Sequence, residues 1–282
     1  MKILIFFLVA TLYAFNAMAS VMSSQSMKQF CEDRASSTFE KELVSDANNL
    51  MAFANRGGIV NSGVCWWHSR FQRNSLYLTY FSPEKERPSR EEAKKIIDKI
   101  RSAEELVEIP GFRNFNEFSK EHSRDIQKEL NKWQRADGII KFNWLIGLAG
   151  RSKVKAHKLE RMMDRLYKYV EIDGNIAYQK LQIKGIVSHA WLVIGMKKFT
   201  DGYDLEVLDS NSPFQTMSYS YRYGQRNLSH YEFGNFVPYL GRKGEMQKLK
   251  LAVLKKCDLK TYKIRKLEKL HDDDKEDDFE DE

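Results

Sequence analysis

Cysteine, proline and glycine are all scarce in this sequence, and each shortage removes a class of protein. Only 3 of the 282 residues are cysteine, too few and too odd in number for a fold held together by disulfides. Proline, at 5, and glycine, at 15, are too sparse for a collagen-like or linker-dominated chain. No Cys-x-x-Cys or His-x-x-x-His pair occurs, so the ligand spacing of a zinc site is missing and no metal or other cofactor is expected. Gly147-Leu148-Ala149-Gly150 lacks the spacing and the following lysine of a phosphate-binding loop. The longest apolar run, residues 3–15, falls short of the ~20 residues a membrane-spanning helix needs, so no membrane span is expected. What remains is 42% hydrophobic and 30% charged, a globular composition with enough chain to bury a core unaided.

The two ends differ from the body. Lys2, the apolar run 3–15 and Ala17-Met18-Ala19 form the charged, apolar and small-x-small parts of a secretory signal. The expectation is cleavage near Ala19 and a secreted or periplasmic product, in a compartment that permits disulfides. Residues 272–282 hold nine acidic side chains and one lysine, a density that predicts a disordered acidic tail. Residues 20–271 are the expected folded domain, and they are basic, since the whole chain has 46 Lys and Arg against 39 Asp and Glu.

Within the body, helical patterns come first. Residues 23–55 are helix-compatible, and a second, aromatic-rich helix is expected over 65–81. Ser89 with Glu92 gives a capping box before the stripe Ala93, Ile96, Ile97 and Ile100. Phe115 to Trp133 and Val154 to Val170 carry further apolar stripes at helical spacing. After Asp173-Gly174-Asn175 the texture becomes strand-like: Leu181 and Ile183 alternate with polar residues, and 190–196 is continuously apolar. Tyr203, Leu205 and Val207 alternate after the turn signal Asp201-Gly202. Strands are expected at 217–223 and 230–237, and a last helix at 245–256. Helices first and strands second make an α+β chain, read as one domain with two lobes.

Three short segments carry the chemistry. Asn61-Ser62-Gly63-Val64 delivers Cys65 to the first turn of a helix. The free N–H groups and positive dipole end there stabilise a thiolate and an oxyanion. Ser188-His189-Ala190-Trp191 places a histidine, a competent base for a thiol, at the entrance to the most apolar strand. Asp209 ends the next strand. If these two strands pair antiparallel, His189 and Asp209 share one end of the sheet. A turn centred on Asp201-Gly202 sets Asp209 opposite Ile194, so an earlier turn or a bulge is required. Asn211, two residues on, is a substitute for Asp209 in orienting the histidine. His68, one turn after Cys65, reads as a helix-face histidine packed on aromatics.

Cysteine at a helix start, histidine at a strand start and Asp or Asn after the next strand, in that order, resembles the papain-like cysteine peptidases. The matching segments are Gly63-x-Cys65-Trp66, His189-Ala190 and Asp209-Ser210. The resemblance implies a two-lobed α+β fold, with a helical half followed by an antiparallel sheet half. It implies Cys65 as nucleophile, His189 as general base, Asp209 as orienter, and a peptide or protein substrate. The chain departs from the family at Ile59, where an oxyanion-hole glutamine is common, and at Ser62, where a disulfide cysteine is common. Asn61 is the remaining side-chain candidate for the oxyanion. Transglutaminase-like domains are a second resemblance, through His189-Ala190-Trp191 and Asp209, and imply acyl transfer in place of hydrolysis. A non-enzymatic alternative is a secreted basic protein that binds an acidic polymer. Cys31 and Cys257 are open to two readings, a pair that ties the ends of the body together or two separate thiols.

Overall fold

The computed structural model describes residues 27–35, 39–56, 65–139, 152–183, 188–230, 234–240 and 244–257. Residues 1–19, read above as a signal segment, Ile59, Asn61, Ser62 and Gly63, and the acidic residues 272–282 lie outside these residues. The described residues open with α1 (Met27–Ala35), α2 (Phe39–Ser45) and a short 3-10 turn (Ala47–Asn49), then α3 (Cys65–Leu78). The helix expected to reach residue 81 stops at Leu78. Thr79, whose Oγ1 donates to the Ser75 carbonyl at 2.7 Å, opens β1 (Thr79–Ser82) instead. The β-branched and aromatic residues there pair in parallel with β2 (Val107–Pro110), a small sheet inside the helical half that the pattern of residues did not suggest.

Between these strands runs α4 (Arg90–Ser102), and its Ser89–Glu92 capping box forms as expected. Ala93, Ile96, Ile97 and Ile100 are its buried stripe. One expected amphipathic helix is two, α5 (Phe115–Glu121) and α6 (Ser123–Ile139). His122 interrupts them with φ −98° and ψ 19°, its ring held between Phe112 and Phe118. Next comes α7 (Ala156–Tyr167), which widens into a single π-helical turn, Lys168–Ile172.

The strands follow: β3 (Ala177–Ile183), β4 (Ser188–Phe199), β5 (Gly202–Asp209), β6 (Ser212–Arg222), β7 (Leu228–His230) and β8 (Gly234–Leu240). They form a six-stranded antiparallel sheet in the order β6-β5-β4-β3-β8-β7. The segment 230–237, read as one strand, spans the end of β7 and the start of its hairpin partner β8. The sheet curls, so that the Tyr219 ring on edge strand β6 stacks on His230 of β7 at 5.8 Å. Gly202 is needed where β5 enters this curl, because a Cβ there would lie 2.0 Å from the Tyr221 carbonyl oxygen. The last helix among the described residues is α8 (Gly244–Cys257).

Three apolar clusters order these elements. Trp67, Phe71, Ile97, Ile109, Phe115 and Leu130 fill the helical half. Trp66, Tyr77, Leu192, Ile194, Leu249 and Val253 join α3 and α8 to one face of the sheet. Leu159, Met163 and Leu166 of α7 cover the other face, on Leu181, Val193, Leu205 and Val207. The α+β class therefore holds, with α3 at the centre: every residue of that helix except Arg70 is buried.

Candidate functional site

The register of β4 and β5 decides where the site residues fall. Their turn is the two-residue Thr200-Asp201, with Phe199 opposite Gly202. That is earlier than the Asp201-Gly202 centre read from the sequence. A bulge then places Ile194 as an extra residue between Val193 and Gly195. Both devices act, and Asp209 comes opposite Trp191. Side chains directly opposite share a face, as do residues two apart on one strand. His189 and Asp209 are thereby diagonal neighbours.

His189 Nε2 and Asp209 Oδ1 are 2.8 Å apart, with the two side chains 8% and 2% exposed. The His189 side chain is also hydrogen-bonded to that of Cys65, the first residue of α3 and a buried free thiol. With Nε2 directed at Asp209, Nδ1 is the nitrogen left for the sulfur. The three residues singled out in the sequence thus form one chain, Cys65–His189–Asp209. Burial opposes a charge on His189, but the hydrogen bonds to Asp209 and Cys65 and the charge on each partner outweigh it. The net effect holds the imidazole well above its ordinary value. Burial likewise opposes ionisation of Asp209. The His189 hydrogen bond and charge, the Asn211 amide and the nearby His230 reverse that and hold its carboxyl below the usual range.

Asn211 does not stand in for Asp209. It lies in the tight turn between β5 and β6, where its backbone N–H donates to Asp209 Oδ1 at 2.8 Å. Its side-chain oxygen accepts from Asn55 Nδ2 at 3.1 Å. Asn55 N–H also donates to the Ser210 carbonyl at 2.7 Å, so a segment of the helical half clamps the turn that presents Asp209. His68 is a structural neighbour, 1% exposed, with Nε2 2.9 Å from the Phe53 carbonyl oxygen and its ring edge-on to Phe53. Burial lowers its pKa to about 4, which keeps it neutral and fit to donate that bond.

Three further features had no sequence signal because each depends on residues far apart in the chain. Trp66, beside the thiol, is buried with its indole N–H unpartnered among the described residues, and Lys180 Nζ sits 4.0 Å above its ring. Glu245, in the first turn of α8, accepts from both Arg70 and Arg73 of α3 at 2.8 Å. Glu171, in the π-helical turn, accepts from the Met196 N–H of β4 at 2.7 Å.

Among the described residues there is no group of three or more His, Cys, Asp or Glu that could hold a metal ion. No helix among them is long and apolar enough to cross a membrane. No protein-family model, curated protein or solved structure matches the chain.

Proposed function

We propose that the protein is an exported papain-like thiol hydrolase that cleaves peptide or isopeptide bonds. The observation that carries this reading is the buried hydrogen-bonded chain Cys65–His189–Asp209 at the N-terminus of α3. A two-lobed division suits it: α1 to α6 gather around α3, the sheet and α7 form the other part, and the chain of side chains lies where they meet.

In the proposed reaction the proton of the Cys65 thiol already rests on His189, and the Cys65 sulfur attacks the substrate carbonyl carbon. Backbone N–H groups at the start of α3 face the developing oxyanion. His189 then returns the proton to the departing amine, leaving a thioester on Cys65. Water, deprotonated by His189, attacks the thioester. The carboxylic acid leaves and the thiol is restored by the same proton. Asp209 remains ionised throughout, fixing the ring and stabilising the imidazolium. The disulfide between Cys31 and Cys257, with Cα atoms 5.4 Å apart, supports export, because such bonds persist in oxidising compartments.

The test is alkylation of Cys65 by iodoacetamide at neutral pH, together with amide release from peptide and isopeptide libraries. Cys65 is expected to react faster than a model thiol, and Cys65→Ala to abolish turnover. His189→Ala should lower turnover by about a thousandfold. An added primary amine separates hydrolysis from transfer, since a transferase would divert the thioester to the amine. A Cys65 that reacts no faster than a model thiol would overturn the proposal.

A further inference from the structure

We propose that Glu171 is a positioning residue: by gripping β4 just past its bulge, it sets the register that brings His189 to Asp209. The inference rests on the thiol-hydrolase reading for its consequence in catalysis, but its geometry stands apart from it.

The ladder between β4 and β5 has two registers. From Phe199 opposite Gly202 to Gly195 opposite Glu206, the pairing follows the turn. Past the extra residue Ile194 it shifts by one, giving Val193–Val207, Leu192–Leu208 and Trp191–Asp209. Were the turn register to run on without the bulge, Leu192 would stand opposite Asp209. A one-residue slip reverses the face of every side chain beyond it. Asp209 and His189 would then project from opposite faces and their hydrogen bond would be lost. The bulge is thus what makes the pair.

A bulge needs support, because it breaks the ladder locally and leaves backbone groups without strand partners. On its other side β4 pairs with β3, but that ladder reaches only Ala177 opposite Val193. Beyond it, at Met196, no β3 residue is present to accept the backbone N–H. Glu171 supplies the acceptor, its Oε1 2.7 Å from the Met196 nitrogen. Its other oxygen, Oε2, lies 2.6 Å from Lys41 Nζ on α2. One carboxylate therefore ties the helical half to β4 two residues from the bulge. It can do so because the backbone widens there into the π-helical turn Lys168–Ile172, a form that often marks functional positions in helices.

Glu171→Ala removes the acceptor. Glu171→Asp draws the carboxylate back by one methylene, and Glu171→Gln keeps a neutral oxygen acceptor. Ile172→Ala, at a neighbouring residue that is 67% exposed, is the control. The primary measurement is an NMR titration of the His189 ring, which in the wild type holds its proton up to about pH 10. Glu171→Ala and Glu171→Asp should release that proton at lower pH, while Glu171→Gln and Ile172→Ala should stay close to wild type. Alkylation of Cys65 by iodoacetamide should slow by about tenfold or more in the first two variants. If Glu171→Ala fails to fold, Glu171→Asp reads the same titration. Folded Glu171→Ala or Glu171→Asp protein with an unchanged His189 titration overturns the inference, even if its melting temperature falls. A wild-type thiol of ordinary reactivity would instead count against the hydrolase reading, and the His189 titration would still judge Glu171.

Discussion

His68 and His189 lie near each other beside the thiol, yet their surroundings drive them in opposite directions. His189 has a carboxylate partner, and its charged form wins. His68 has only a carbonyl partner, and burial wins. The consequence for stability follows from linkage. An unfolded histidine titrates near 6.5, so between about pH 6.5 and 4 the unfolded chain binds a proton at residue 68 that the folded chain refuses. The stability contributed by neutral His68 is complete above about pH 6.5 and is lost as pH falls toward 4, a loss of about 3 kcal/mol at most. His68→Gln can still donate to the Phe53 carbonyl but does not titrate. The melting temperature of the wild type should fall over this range more steeply than that of His68→Gln. Parallel pH profiles of the two proteins would refute this assignment.

At the scale of elements, α3 is buried on all sides although its sequence is far from uniformly apolar. Its polar residues make this tolerable by bonding outward to other elements. Ser69 Oγ reaches the Ala190 carbonyl at 3.1 Å, Gln72 Oε1 accepts from Met51 N–H at 2.5 Å, and Asn74 Nδ2 reaches the Ile100 carbonyl at 3.0 Å. Glu245 balances both Arg70 and Arg73, at sites where every partner is less than one-fifth exposed. Removing one partner of such a set leaves its cations buried without compensation. Glu245→Ala should therefore destabilise the fold by about 3 kcal/mol, and Glu245→Gln by less, as measured by urea unfolding. Equal losses in the two variants would show that the charge is not what matters. The local signals in the sequence worked where local physics dominates: the Ser89 capping box, the α4 stripe and the doubly buried run 190–196 all form as read. The order Cys65, His189, Asp209 was legible for a similar reason, since each residue sits at the boundary of an element that its neighbours specify. What the sequence did not disclose depends on pairing at a distance. The switch from α3 to β1 and the grip of Glu171 are each set by a partner more than twenty residues away, Val107 opposite Thr79 and the Met196 N–H.

For the molecule as a whole, the two cysteines left open by the sequence are joined. Cys31 on α1 and Cys257, the last residue of α8, are 226 positions apart. Both helices pack on the cluster built around α3, so α8 is held at its first turn by Glu245 and at its last residue by the disulfide. A cross-link closing so long a loop removes freedom chiefly from the unfolded chain, and the loop-closure model gives about 5 kcal/mol for this length. A domain has about 5–15 kcal/mol of stability in all, so reduction should bring this one close to its threshold. Under oxidising conditions the urea midpoint should lie well above that of the Cys31→Ser/Cys257→Ser double variant, and of the wild type treated with reductant. The denaturant slope should also rise when the bond is absent, because the unfolded chain can then expand and expose more surface. Thiol counting under native conditions should find one free group, Cys65, before reduction and three after it with unfolding. Coincident midpoints for the oxidised and reduced proteins would mean that α1 and α8 are held by packing alone, and that the disulfide adds nothing to the fold.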